Sequence, residues 1–365
     1  MNELHIDKTH WKKYRFDEMV QNVSERVEPS QTDLDMYVGL EHIDPDTLHL
    51  SRHGHPSDVE GTKLRFYKGD IIFGRRRAYQ RKTALATTDG ICSAHAMVVR
   101  AKEDVVDPMF LPFLFHSKNF IDMAITISVG GLSPTINWKD IAKQEFLLPP
   151  KAEQKRLAEL LWAADEVVEK ENREREKLQS YYFALQTNIF QNNTNCTKRL
   201  CDIANITMGQ SPVGSSYNEN NEGVPFLQGN SEFTDKYPVA IKYTTAPTKM
   251  ANAGDILMSV RAPVGAINIA DKSYCIGRGL CAISAKSGNN DYLRFLLQSK
   301  IAELDRISTG STFKAINSND LKYLEVPSKE QDISLLLKCE KTITDLNGCI
   351  QRSKQIKQEL TDKIF

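Results

Sequence analysis

The chain carries one ordered set of short motifs twice. The first half contains Arg15-Phe16-Asp17, Tyr37-Val38-Gly39-Leu40-Glu41-His42, Gly69-Asp70-Ile71, Ile136-Asn137 with Asp140, and Pro150 ahead of Glu153-Gln154. The second contains Arg199-Leu200-Cys201-Asp202, Phe226-Leu227-Gln228-Gly229-Asn230, Gly254-Asp255-Ile256, Ile316-Asn317 with Asp320, and Pro327 ahead of Glu330-Gln331. Each half closes in a long helical pattern that reaches Ile189-Phe190 or Ile364-Phe365. A single match of two or three letters means little, but the shared order and spacing indicate internal duplication. Two units of one design restrict the fold to tandem domains. They also suggest a target with two separate parts.

At 365 residues there is room for two or three domains. Met1 to His10 is polar, so no signal peptide is expected there, and no stretch approaches the roughly 18 apolar residues of a membrane span. The seven cysteines (Cys92, Cys196, Cys201, Cys275, Cys281, Cys339, Cys349) form no Cys-x-x-Cys. That pattern predicts reduced thiols in a cytoplasmic protein, without a disulfide or zinc framework. The one close histidine pair, His53 and His55, lies in a polar loop and is expected to be solvated rather than metal-bound.

Lys plus Arg and Asp plus Glu both number 47, which argues weakly against a nucleic-acid binder. The distribution qualifies this. Lys63 to Lys102 holds ten cations and two acids, Asp70 and Asp89, the footprint expected of a phosphate-binding face.

Residues 1–150 alternate short β-like runs, such as 69–73 and 96–100, with turn-rich stretches; 108–127 has helical spacing. The second half mirrors this with β-like runs at 254–260 and 280–284 and a helical pattern at 291–308. The fold class is α+β. A long helix is predicted from 151, after Pro149-Pro150, with a seam at Leu157, Leu161, Ala164, Val168, Glu171, Arg175, Leu178, Tyr182, Leu185 and Ile189. A second has Leu336, Cys339, Ile343, Leu346, Ile350, Ser353, Lys357, Leu360 and Ile364 on the same spacing. Each pattern spans roughly 35–40 residues, or about 50–55 Å. Their natural arrangement is an antiparallel pair with each other, the alternative being two separate oligomer interfaces.

No Walker-type loop, Asn-Pro-Pro-aromatic, Gly-x-Ser-x-Gly, His-Glu-x-x-His or Gly-x-Gly-x-x-Gly is present. The one Glu-x-Lys, Glu153 to Lys155, opens a helix and has no convincing carboxylate partner. The best chemical candidate is the run Phe73 to Lys82. Its Arg75, Arg76, Arg77, Arg81 and Lys82 suit bidentate contact with guanine edges or phosphates, and Tyr79 can stack or donate to phosphate. Its counterpart is Gly-rich and contributes Arg261 and Arg278. The loops ahead of Ile-Asn add Ser133 and Thr135 in one half and Ser311, Thr312 and Lys314 in the other, groups suited to phosphate. The plain alternative for any of these is a turn joining core elements.

Over essentially its whole length the chain resembles the specificity subunit of type I restriction–modification systems. The resemblance is carried by Tyr37 to His42, Gly69 to Ala78, Gly90-Ile91-Cys92-Ser93 and the doubled Pro-x-x-Glu-Gln helix start. It implies two β-rich target-recognition domains in tandem pseudo-repeat (1–150 and 192–327), separated by two long antiparallel coiled-coil helices (151–191 and 328–365). Each domain would read one half of a bipartite, asymmetric site on double-stranded DNA. The helices would set the spacing and dock two modification subunits. The chain itself would be non-catalytic and bind no cofactor. S-adenosylmethionine would sit on the modification subunits, with ATP and magnesium on motor or restriction subunits. A cytoplasmic host-defence role follows, with no membrane partner. The alternatives are a recognition subunit of a methyltransferase-only or type II-like system, a non-DNA-binding repeat scaffold, or a nuclease with a divergent site.

Overall fold

The computed structural model describes residues 6–191, 197–308 and 315–365. It divides into two compact units, Met1–Glu174 with Leu346–Phe365, and Arg175–Asp345.

The strands of unit 1 are β1 (Lys12–Arg15), β2 (Val20–Val23), β3 (Arg26–Val27), β4 (Tyr37–Val38), β5 (Lys63–Phe66), β6 (Ile71–Phe73), β7 (Thr83–Leu85), β8 (Gly90–Cys92), β9 (Met97–Ala101) and β10 (Glu145–Leu148). They form sheets of order β2-β9-β6-β7 and β3-β5-β8-β4, plus the pair β1-β10. Unit 2 has β11 (Thr197–Arg199), β12 (Ala204–Met208), β13 (Tyr217–Asn218), β14 (Val224–Leu227), β15 (Lys242–Thr244), β16 (Met250–Ala251), β17 (Ile256–Ser259), β18 (Ile267–Ile269), β19 (Tyr274–Ile276), β20 (Leu280–Ala285) and β21 (Glu325–Pro327). Their order is β12-β20-β17-β18 and β13-β15-β14-β19-β16, plus β11-β21.

The duplication is therefore one of topology. The first sheets superpose strand for strand in order, and the second sheets share a parallel pair, β4·β8 or β14·β19, with an antiparallel strand beyond it. The units differ at the edges: β3 is added beyond β5 in unit 1, and β15 and β13 beyond β14 in unit 2.

The repeated motifs are the joints of this frame. Gly69 and Gly254 sit at φ 91° and 89°, where a Cβ would be strained. The next residue closes the turn: Asp70 accepts the Tyr67 N–H at 2.8 Å and Asp255 the Asn252 N–H at 2.7 Å. The isoleucine that follows enters a buried strand in both copies. In Ile-Asn-x-x-Asp, Asn317 accepts the N–H groups of Asn319 and Asp320 while Asp320 accepts the Asn317 N–H, a reciprocal helix cap. Gln154 is buried at the start of the central helix, where it accepts the Asp107 N–H at 2.7 Å and donates to the carbonyls of Val105 and Pro149.

The helical pattern at 108–127 resolves into Leu111–Leu114 and Lys118–Thr126, separated at Ser117, whose hydroxyl accepts the Phe120 N–H. The pattern at 291–308 likewise becomes Asn290–Ser299 and Ile301–Ile307. The central helix runs Lys151–Gln191 without a break, about 60 Å at 1.5 Å per residue. The distal helix is shorter than expected. It starts at Ser334 rather than 328, because Asp332 accepts the Ser334 N–H and Glu330 is spent on Ser287 and Asn289.

Within unit 1, Ala158 and Leu161 of the central helix share a core with Leu360 and Ile364 of the distal helix, while Asp165 meets Lys357. The numbering rises on one helix as it falls on the other, so this pairing is antiparallel. All nine expected seam positions of the distal helix are buried or half-buried. On the central helix the ten expected seam positions are likewise buried or half-buried, and at three of them the next residue is the more deeply buried: Ala158, Asp165 and Gln186 beside Leu157, Ala164 and Leu185. Two of these are polar, which concealed them. Asp165 is 1% exposed and is held by Lys357 at 2.9 Å and His49 at 2.6 Å. Burial alone would raise its pKa, but these two partners outweigh that and hold it below the usual carboxylate value. In unit 2, Arg294 makes a two-pronged ion pair with Glu340 of the distal helix at 2.8 and 2.7 Å.

Candidate nucleic-acid interface

In each unit the fold joins two loops that are some 60 residues apart in sequence. In unit 1 the chain leaving β6 bridges to the segment ahead of Ile-Asn: Arg76 pairs with Thr135, the Ile136 N–H donates to the Arg75 carbonyl at 3.0 Å, and the Arg77 N–H donates to the Pro134 carbonyl at 2.7 Å. In unit 2 the same bridge joins Arg261 to Ala315, and the Ile316 N–H donates to the Val260 carbonyl at 3.0 Å.

The side chains around the first bridge divide sharply. Arg76 donates to Ser133 Oγ at 3.1 Å and to His95 Nε2 at 3.4 Å, and Arg77 also reaches Ser133 Oγ at 3.2 Å. Thr135 is half-buried and its hydroxyl donates to the Ser133 carbonyl. Tyr79 is half exposed on the turn Ala78–Gln80. Arg77 and Arg81 bracket that turn at φ 57° and 54°, unusual for residues other than glycine and a form of strain that gathers at functional loops. Arg75 points the other way, as alternate residues of an extended chain do. It donates to the Ala94 carbonyl at 3.1 Å and lines a cleft of about 370 Å³ with Arg26, Lys63 and Trp138.

Arg81 and Lys82, also expected to face DNA, are engaged within unit 1. Arg81 pairs with Asp46 and donates to the His116 carbonyl at 2.8 Å and to Gln358 of the distal helix at 3.0 Å. Lys82 donates to the Leu40 carbonyl. Much of the basic stretch is spent the same way: Arg100 on Asp70, Arg65 on Glu25, and Lys63 and Lys102 on backbone carbonyls. A neutral fold keeps its cations mostly for itself, and Arg76 and Arg77 remain as the basic tip.

In unit 2, Arg261 and Arg278 are both exposed and line one cleft of about 570 Å³ with Ser211, Gln228 and Asn230. Arg278 is held to Ser211 Oγ at 3.4–3.5 Å. The floor is backbone packed on backbone. A Cβ at Gly209 would lie 2.1 Å from the Gly277 carbonyl, and one at Gly279 would lie 2.8 Å from the Gln228 carbonyl. Ser311, Thr312 and Lys314 lie outside the described residues. Sequence reasoning missed His95, Ser211, Gln228 and Asn230. An exposed polar residue in a turn carries no signal of its own.

The model of the type I restriction modification DNA specificity domain matches residues 10–180 and again 192–361. This chain belongs to that family. Specificity subunits are also what it resembles along its length. It is 28% identical over 359 residues to the MjaX type I restriction enzyme specificity subunit of Methanocaldococcus jannaschii, covering 89% of this chain and 84% of that one. A solved chain from a study of assembly and conformational transition in the type I R-M system has 27% identity and a TM-score of 0.66, with 97% of both chains covered. The HsdS subunit from Thermoanaerobacter tengcongensis has 25% identity and a TM-score of 0.50, covering 100% of this chain and 98% of that one. The family is a non-catalytic one. Among the described residues no cluster of His, Cys, Asp or Glu could hold a metal ion, and no helix is long and apolar enough to cross a membrane.

Proposed function

We propose that this specificity subunit reads a split DNA site, one half with the Arg75–Arg77 face of unit 1 and the other with the Arg261–Arg278 face of unit 2. The observation that carries this is the repeated bridge, which brings the loop after Gly-Asp-Ile and the loop ahead of Ile-Asn together in both units. Arg76, Arg77, Tyr79, Ser133, Thr135, Arg261 and Arg278 are its proposed contacts. Arg75 contributes from the side of its own cleft. Ser311, Thr312 and Lys314 stay in the proposal on their sequence alone.

The two half-sites differ because the frames are alike and the faces are not. An uninterrupted central helix of about 60 Å suits a spacer between half-site centres about 34–36 Å apart, one turn of duplex. The assembly takes two modification subunits, which bind S-adenosylmethionine and methylate adenine. Motor or restriction subunits bring ATP and magnesium. The complex works in the cytoplasm. Much of the phosphate contact comes from the partners, since this chain has no net charge.

Methylome sequencing of a host expressing the chain with its modification subunit tests this. A split, asymmetric motif with a fixed gap is the expected result, and a continuous palindrome refutes it. The scaffold alternative predicts an assembled complex without the steep salt dependence that phosphate contacts confer.

A further inference from the structure

Backbone hydrogen bonds set the residue-by-residue register between the units. Arg76 and Arg261 fall on one framework position, because Ile136 bonds to the residue before the first and Ile316 to the residue before the second. The turn facing them is also shared. The Ser93 N–H donates to the Val38 carbonyl at 2.9 Å and the Gly277 N–H to the Leu227 carbonyl at 2.8 Å. The Ala96 N–H returns to the Ser93 carbonyl and the Leu280 N–H to the Gly277 carbonyl. Ala94 therefore stands where unit 2 has Arg278, and His95 where it has Gly279.

We infer that each unit reads its half-site with a shared framework arginine, Arg76 or Arg261, and that the facing turn sets the base chosen beside it, through His95 in unit 1 and Arg278 in unit 2. This rests on the proposed DNA-reading role. Arg76 is held from two sides, by His95 and by Ser133, so its guanidinium is pre-positioned before DNA arrives. Arg76 can only donate, so in this contact His95 Nε2 is the acceptor and Nδ1 is left to donate. His95 is exposed. An arginine with an imidazole N–H beside it offers two donors to a base edge, the pattern that suits the paired acceptors N7 and O6 of guanine. Unit 2 replaces that imidazole with a second guanidinium one residue earlier on the turn and moves the neighbouring backbone in close, through Gly277 and Gly279. A different edge is then read from the same frame.

The test uses the complete subunit assembled with its cognate modification subunit. It methylates a pool of duplexes in which one half-site at a time is randomised, and the products are sequenced. His95→Ala is expected to lower discrimination at one base pair of one half-site by about 5- to 150-fold, leaving the other half unchanged. Arg278→Ala should do the same in the other half. His95→Asn, which keeps an acceptor and a donor, should restore part of the loss. Unchanged preferences in an assembled, active complex overturn the inference, and so do equal losses in both halves. If His95→Ala fails to assemble, the transplant Ala94→Arg with His95→Gly decides: a changed preference confined to the first half supports the inference, and an unchanged one overturns it. A parent complex that methylates without any sequence preference overturns instead the reading on which this rests.

Discussion

Replacing Lys357 with methionine isolates what the buried charge between the two long helices contributes to unit 1. Asp165 is 1% exposed, and its two oxygens are shared between Lys357 and His49. Breaking a buried pair costs about 3–5 kcal/mol because the remaining charge is left without its partner. His49 stays in place and still covers one oxygen, so the low end, about 3 kcal/mol, is expected. Adding Asp165→Leu removes the stranded carboxylate, and the double variant should regain most of that loss, since a well-packed apolar pair often matches a buried ionic one. The assay is urea unfolding followed by tryptophan fluorescence. All three tryptophans (Trp11, Trp138 and Trp162) lie in unit 1, so the signal reports that unit alone. Trp162 packs edge-on against His49 at 6.1 Å, beside the network itself. A single variant within 0.5 kcal/mol of the parent would refute the argument. A double variant that loses the sum of both singles would refute it as well.

His116 is buried, and burial together with the Lys357 cation pushes its pKa down to about 4. A depressed histidine stabilises the fold above the unfolded value near 6.5 and loses that contribution, about 3 kcal/mol, as pH falls from 6.5 toward 4; His116→Leu should flatten this limb in pH-dependent unfolding. His49 is raised, mainly by its bond to Asp165, so its smaller contribution is present at low pH and is lost as pH rises past its folded value. Arg81→Ala should cost about 1–3 kcal/mol of stability in the same unfolding assay and leave the methylation motif unchanged. Arg77→Ala should leave stability within about 0.5 kcal/mol and weaken one half-site by ~1–3 kcal/mol in competition binding with the assembled complex. Gly209→Ala drives a Cβ into the Gly277 carbonyl, so a loss of stability together with loss of preference in the Arg278 half-site is expected from melting and motif sequencing.

The frame was legible in the sequence because its joints have strict requirements. Gly-Asp-Ile needs a glycine at positive φ and a carboxylate to close the turn, so both copies kept the letters. The distal seam was legible because apolar residues occupy most of it. The central seam was legible too, but not the deeper burial of Asp165 and Gln186 beside it, because periodicity counts polar groups as surface. The internal pairing of the basic run was hidden for a related reason. Sequence shows how many cations a segment holds, but not that Arg81, Lys82, Arg100 and Lys102 turn inward to carboxylates and carbonyls. His95 was invisible because its role comes from Arg76, 19 residues away, and only the fold brings the two together.

The closing segment of unit 1 has a consequence for how the protein is made. Phe365 packs on Phe110 at 4.6 Å, Asp362 accepts the Lys118 N–H that opens a helix, and Ile364 is fully buried in the same core. Unit 1 is thus sealed by residues that are synthesised after all of unit 2, every residue of which precedes position 346. During translation the second unit can complete its contacts while the first still waits with part of its core open. Shortening the distal helix from its far end should therefore injure the unit at the opposite end of the sequence.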